Sequence, residues 1–254
     1  MSNSKLFAAI LVLSSASHLA AAENAVRTPV LLELFTSEGC SSCPPADRLL
    51  AAFDQKQPVA GADLIVLSEH VDYWDRLGWK DPFSSPLYTA RQQEYANRLH
   101  GGGAYTPQLV VDGRFGLVGS DDREAAAAIQ KAMREPKLAI VLSRASRDES
   151  KVTLHIMTPA DSASTGRQGV LYAALADNRA ESHVARGENA GRSLAHVAVT
   201  RVLKQVGVID LGAAADREVT LPVQPGMGTT GLRLVAFIQD SKTGHILGVA
   251  VQKL

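Results

Sequence analysis

Two cysteines are all this chain of 254 residues has, and they lie close together as Cys40 and Cys43. So few thiols exclude the disulfide framework of small secreted domains. A structural zinc site commonly uses two such cysteine pairs, and only one exists here. Excess charge is also lacking, with 26 basic residues set against 26 acidic ones. That balance offers no electrostatic basis for binding a polynucleotide or an anionic membrane. No apolar stretch approaches the ~20 residues that a membrane-spanning helix needs. There is no internal repeat and no extended low-complexity tract, and the C-terminal half carries neither a phosphate loop nor a recognisable nucleophile motif. What is present is ordinary globular material: 46% hydrophobic residues, enough for one large domain or two modest ones.

The first 22 residues have the layout of a secretory signal. Lys5 supplies the charge, Leu6 to Leu13 the apolar core, and Ala20-Ala21-Ala22 the small-residue cleavage site. Cleavage would leave a mature chain beginning near Glu23, exported without a transmembrane segment. The expected location is the periplasm or the medium.

The cysteines fall in Thr36-Ser-Glu-Gly-Cys40-Ser-Ser-Cys43-Pro-Pro-Ala-Asp47, between an apolar run, Val30 to Phe35, and a helix-like segment, Pro44 to Gln55. Cys-x-x-Cys at a strand-to-helix junction is a redox motif. Orphan N–H groups and the dipole at a helix start favour a thiolate, expected at Cys40. Cys43 is then the resolving thiol, which attacks a mixed disulfide and releases it. Ser41 and Ser42 can add donors to the thiolate, whereas Glu38 would oppose it if its carboxylate faced the sulfur. As a staple the pair would be poor, since closing a four-residue loop constrains the unfolded chain by only about 2 kcal/mol.

Further along, Asp63 to His70 is a strand, 71–86 an insertion rich in aromatic and turn residues, and Leu87 to His100 a helix ended by Gly101-Gly102-Gly103. Asp112-Gly113 between two short apolar runs predicts a hairpin. Asp121 to Arg134 is a helix stopped by Pro136. Strand, helix, strand, helix, hairpin, helix is the element order of a thioredoxin fold. From Lys137 the pattern changes to seven strand-like runs: 138–143, 151–158, 169–176, 196–203, 217–223, 232–239 and 245–252. Their spacing predicts a β-sandwich-like domain over 137–254. The expected fold class is therefore an α/β thioredoxin-like domain at 28–135 followed by an all-β domain.

The wording from Leu34 to Asp47 is similar to that of an uncharacterised family of bacterial secreted proteins with a thioredoxin-like fold. The blocks His70-Val-Asp-Tyr-Trp-Asp75, Gly78-Trp-Lys-Asp-Pro-Phe83 and Tyr105-Thr-Pro-Gln108 strengthen the match. The resemblance implies a cis bond between Thr106 and Pro107, with the proline facing the cysteine pair. It also implies a proton-relay role for a buried carboxylate on the first strand, here Glu33, although the spacing to Cys40 is one residue longer than in thioredoxins.

His70, at the end of the second strand, is an acid–base candidate because imidazole titrates near neutrality. Trp74, Trp79, Tyr73, Tyr88 and Tyr105 form either a lid over the pair or the packing of the insertion. The polar loop 186–192 is expected to be solvated, and a metal site drawn from His183, Glu188 and His196 matches no ligand motif. The leading expectation is an exported thiol–disulfide oxidoreductase with no cofactor. Its partners would be a protein thiol or disulfide substrate and a second protein that recycles the pair. Two other readings stay open: capture of Cu(I) by the two thiolates, with His70 as third ligand, and a redox-silent module whose disulfide only stiffens a loop.

Overall fold

The computed structural model describes residues 27–99, 103–148, 150–224, 226–227 and 231–254. The segment read as a signal sequence, 1–22, lies outside the described residues. Among those described, no helix is long and apolar enough to cross a membrane.

The N-terminal half begins with β1 (Thr28–Thr36), α1 (Pro44–Lys56) and β2 (Ala62–His70), and β1 and β2 run parallel from Thr28↔Ala62 to Thr36↔His70. Pro44 and Pro45 fill the first helical positions of α1, where a missing N–H costs nothing. Gln57 ends α1 in the left-handed region, and its side chain then bonds both Leu64 N and Leu64 O, tying the helix end to β2. The insertion holds one short 3-10 turn, Asp75–Leu77, before α2 (Pro86–Arg98). The hairpin β3 (Gln108–Val111) and β4 (Phe115–Val118) follows, with β3 antiparallel to β1. Asp112 and Gly113 both have positive φ, 50° and 62°, the primed form of a turn that Arg114 N closes by donating to Val111 O. α3 (Asp122–Ala132) is capped by the Asp121 carboxylate, which accepts from Glu124 N.

The C-terminal half supplies β5 (Val141–Arg147), β6 (Lys151–Thr158), β7 (Gln168–His183), β8 (Ser193–Asp210), β9 (Ala215–Pro222), β10 (Leu232–Asp240) and β11 (Ile246–Lys253). All seven predicted strand runs fall within or across these elements. β7 and β8, with 16 and 18 residues, extend well beyond the runs read from sequence. Position 136 marks a change of architecture but not a break in the sheet. The order β11-β10-β7-β8-β2-β1-β3-β4 makes one eight-stranded sheet of both halves, joined where Ser68 of β2 pairs with Val199 of β8. β5, β6 and β9 form a second, three-stranded sheet.

Strand alternation explains three cores. Val30, Leu32 and Leu34 of β1 pack with Leu50 and Phe53 of α1 and Ile129 of α3. The sheet curls, so Val235 and Phe237 of β10 cover the opposite face at Leu31, Ile65 and Leu67. The alternate residues of β10, Leu234 and Ala236, meet Val152, Leu154 and Ile156 of the small sheet. β10 is thus buried on both faces, and all nine of its positions read as buried rather than alternating.

Polar contacts lock the same seam. Arg233 of β10 holds Asp54 of α1 through two bonds of 2.7 and 3.0 Å. Asp112 accepts from Leu31 N and from Lys137 Nζ, and Tyr88 of α2 donates to the carbonyl of Thr200 at 2.7 Å.

Candidate functional site

Cys40 and Cys43 are joined in a disulfide, with Cα atoms 5.4 Å apart. The turn holding them is built from its own backbone: Cys40 N donates to Ser37 O, and Cys43 N to Cys40 O. Gly39 N donates to Ser37 Oγ. Cys43 is the N-cap residue of α1, and Cys40 sits one turn before the helix proper. The sequence placed Cys40 at the helix start; the helix dipole instead falls nearest Cys43. Ser42 Oγ lies 3.3 Å from Cys40 Sγ, so the hydroxyl is placed to support a thiolate there. Ser41 and Ser42 are exposed, yet both cysteines have 0% relative exposure.

Thr106–Pro107 is cis. Gly119 lies between this proline and the start of α1. A Cβ at Gly119 would fall 3.1 Å from Ala46 Cβ and 3.3 Å from Pro107 Cβ, which places the prolyl loop beside the helix that begins at Cys43. The insertion closes over the same edge. Trp74 Nε1 donates to Thr106 Oγ1 at 2.8 Å, and Trp79 Nε1 to Glu38 Oε2 at 2.7 Å. Tyr73 and Tyr105 are tied to Gln92 of α2. These aromatics pack the insertion against the domain.

Glu33 is fully buried, on the face of β1 that meets α2. Its carboxylate accepts from Arg91 Nε and Tyr95 Oη, each at 2.6 Å. Arg91 also lies 3.8 Å from Glu69 and stacks near the rings of Tyr95, Tyr172 and Phe237. Burial, then the neighbouring Glu33, raises the Glu69 carboxyl well above its usual range. Glu33 is therefore spoken for by an ion cluster at the seam between the halves.

A second buried cluster stands beside the cysteine turn. Glu38 accepts from Trp79 and from Ser182 Oγ of β7. His196 of β8 lies 3.6 Å from Glu38 Oε1 through Nε2 and 3.6 Å from Asp47 Oδ1 through Nδ1. Burial alone would lower the imidazole, but the Asp47 and Glu38 carboxylates hold it up at about 10, so it is an imidazolium at neutral pH. Asp47 in turn accepts from Thr36 Oγ1 at 3.0 Å. His70, the acid–base candidate, is fully buried with Nδ1 2.7 Å from Asp81 Oδ2. That same oxygen accepts from Glu38 N. Burial pushes Asp81 up, but His70 and two backbone N–H groups outweigh it and lower its carboxyl.

The loop 186–192 is exposed at every position but Asn189, as its composition suggests, yet it is anchored to the cysteine turn. Asn189 is buried, and its side-chain amide donates to the carbonyls of Glu38 and Cys40 at 2.8 and 2.9 Å. Glu188 Oε2 accepts from Ser41 N at 3.0 Å. His183, Glu188 and His196 do not assemble: His183 is exposed against Ser193, and His196 is buried. Among the described residues no group of three or more His, Cys, Asp or Glu side chains is arranged to hold a metal ion. Asn189, and His196 outside the metal grouping that does not form, escaped the sequence reading as site residues, as did Asp47 and Asp81. The first two lie about 150 residues from the motif and carry no local signal.

Two structural likenesses span both halves. A crystal structure of a protein from Agrobacterium tumefaciens matches with a TM-score of 0.69 and 26% identity, over 89% of this chain and 95% of that one. The HBP35 protein of Porphyromonas gingivalis matches with a TM-score of 0.64 and 16% identity, over 90% of this chain and 76% of that one, a likeness of fold. No curated protein sequence matches the chain. A family model described as a protein of unknown function, DUF1223, matches residues 31–239, and the chain belongs to that family.

Proposed function

We propose that this protein is a thioredoxin-like thiol–disulfide oxidoreductase of the cell envelope or the medium, working through Cys40 and Cys43. The observation that carries the reading is the Cys40–Cys43 disulfide at the junction of β1 and α1, with the cis Thr106–Pro107 loop beside the same helix start. In the reducing direction, the Cys40 thiolate attacks a substrate disulfide, forms a mixed disulfide and releases one substrate thiolate. Cys43 then attacks Cys40 Sγ and releases the second, so that two electrons pass to the substrate and the pair is left oxidised. The oxidising direction runs the same steps backwards. Ser42 Oγ beside Cys40 Sγ supports Cys40 as the attacking thiol.

The complete burial of both sulfurs favours a second reading, in which the disulfide is redox-silent and only stiffens the turn. Equilibration of the protein in graded glutathione buffers separates the two. An oxidoreductase gives a midpoint within the cell-envelope range of about −120 to −210 mV. A midpoint below about −300 mV supports the silent reading and removes the first. Cys43→Ser is expected to accumulate a mixed disulfide with substrate protein, and Cys40→Ser is not. Equal trapping by both variants would defeat the assignment of roles.

A further inference from the structure

The strand pair β7–β8 ends over the redox turn in a loop that is exposed except at two positions. Of residues 184–192 only Val184 and Asn189 are buried. The loop closes on itself, with Val184 N bonded to Arg192 O and Gly191 N to Val184 O. Arg192 donates to Asn189 Oδ1 at 2.8 Å, which turns the amide nitrogen toward the cysteine turn. Three hydrogen bonds from the loop reach main-chain atoms of that turn: Asn189 donates to Glu38 O and Cys40 O, and Glu188 accepts from Ser41 N. The loop therefore reads the conformation of the turn. Gly187 rests on the insertion, where a Cβ would stand 3.2 Å from Trp79 Cβ. Residues from the two halves thus meet at the turn whose two cysteines have 0% exposure.

We infer that residues 184–192 are a strap that controls access to Cys40, with Asn189 as the positioning residue that holds it shut, and that a protein thiol or disulfide reaches the pair only when the strap lifts. The inference rests on the redox reading for its biological partner but not for its test. The strap has few apolar anchors and mostly exposed backbone, the features of a segment that opens locally without global unfolding. Its opening adds nothing to the driving force, so it should change rates in both directions and leave the equilibrium alone.

The test is the rate at which dithiothreitol reduces the intact protein and the rate at which oxidised glutathione reoxidises it. In the first reaction two electrons and two protons pass to Cys40 and Cys43, and dithiothreitol leaves as its cyclic disulfide. In the second they pass to oxidised glutathione, which leaves as two glutathione thiols. Asn189→Ala removes two hydrogen bonds and should raise both rates by about tenfold, with their ratio unchanged. Unchanged rates would overturn the strap, and so would a change in one direction alone, which would make Asn189 a stabiliser of one redox state. Gly187→Ala, which pushes the loop off Trp79 without touching the cysteine turn, should accelerate both reactions likewise.

If Asn189→Ala does not fold, hydrogen exchange of the unaltered protein decides. Amides of 184–192 exchanging together ahead of those in β8 and β10 support the strap, and exchange only with the core overturns it. Dithiothreitol reduces the pair whatever its physiological potential, so a midpoint below the envelope range would remove the redox function while the rates still judge the strap.

Discussion

His70 of β2 and His196 of β8 meet edge to face across the seam between the two halves, with ring centroids 4.7 Å apart and planes inclined at 80°. Each is fixed by carboxylates on its far side, His70 by Asp81 and His196 by Glu38 and Asp47. Because Glu38 and Asp47 flank Cys40 and Cys43 in the chain and Asp81 accepts from Glu38 N, the pair's surroundings are set in part by a β strand from the distant half.

His196→Gln should destabilise the protein by about 3 kcal/mol at pH 7, since it leaves two buried carboxylates without their cation. The pH dependence has a definite sign. An imidazole held at about 10 in the folded protein, against 6.5 for the ordinary group, gives stability that is full below 6.5 and is lost as pH rises through 10. The gap between the two proteins in urea denaturation should therefore narrow steadily from pH 6.5 to pH 10. A gap that is flat over that range would mean His196 is neutral in the fold.

Reduction of the disulfide should cost little stability. A four-residue loop is worth about 2 kcal/mol at most by chain entropy, and the turn keeps its own backbone bonds and those from Asn189. Denaturation with and without dithiothreitol measures the cost. A loss of 4 kcal/mol or more would identify the disulfide as a structural staple.

The two halves should unfold as one. Trp74 and Trp79 both lie in the N-terminal half, whereas the long strands β7, β8 and β10 dominate the β signal in circular dichroism. Tryptophan fluorescence and circular dichroism should give coincident transitions. Arg233→Ala, which strands the Asp54 carboxylate at the seam, should lower stability by about 3 kcal/mol and keep the two curves together. Separation of the curves in the unaltered protein would show the halves to be independent.

Gly113→Ala should be far more costly than Gly103→Ala, although both glycines have positive φ. A Cβ at Gly113 would fall 2.2 Å from the carbonyl oxygen of Gly244 in the β10–β11 turn, whereas nothing lies within 4 Å at Gly103. Subtracting the two destabilisations removes the shared backbone strain of about 1 kcal/mol and leaves the clash between halves. A difference near zero would mean that the Gly113–Gly244 approach is loose.

Local chemistry made much of the protein legible from residues alone. The proline pair at 44–45, the Asp112-Gly113 turn and the Asp121 cap depend on neighbours within a few positions. Each element they bound lies within a few residues of its expected place. The runs of β5 to β11 are legible for the same reason, because a strand's alternation, or the unbroken apolar run of a strand buried on both faces such as β10, is written along its own length. The cysteine motif announced itself through spacing.

What sequence could not reveal is how those strands are shared. A single bridge between Ser68 and Val199 turns two expected domains into one continuous sheet. It brings His196 and Asn189 to a cysteine turn about 150 residues away. The polar composition of 186–192 reads as solvated in isolation. Only when β7 and β8 lie beside β2 do Glu38 O and Cys40 O become buried acceptors that need a donor, and Asn189 supplies it. The sequence by itself determined the elements and the thiol pair, because these follow from local interactions. Tertiary structure decided what surrounds the pair, because long-range strand pairing leaves no local trace.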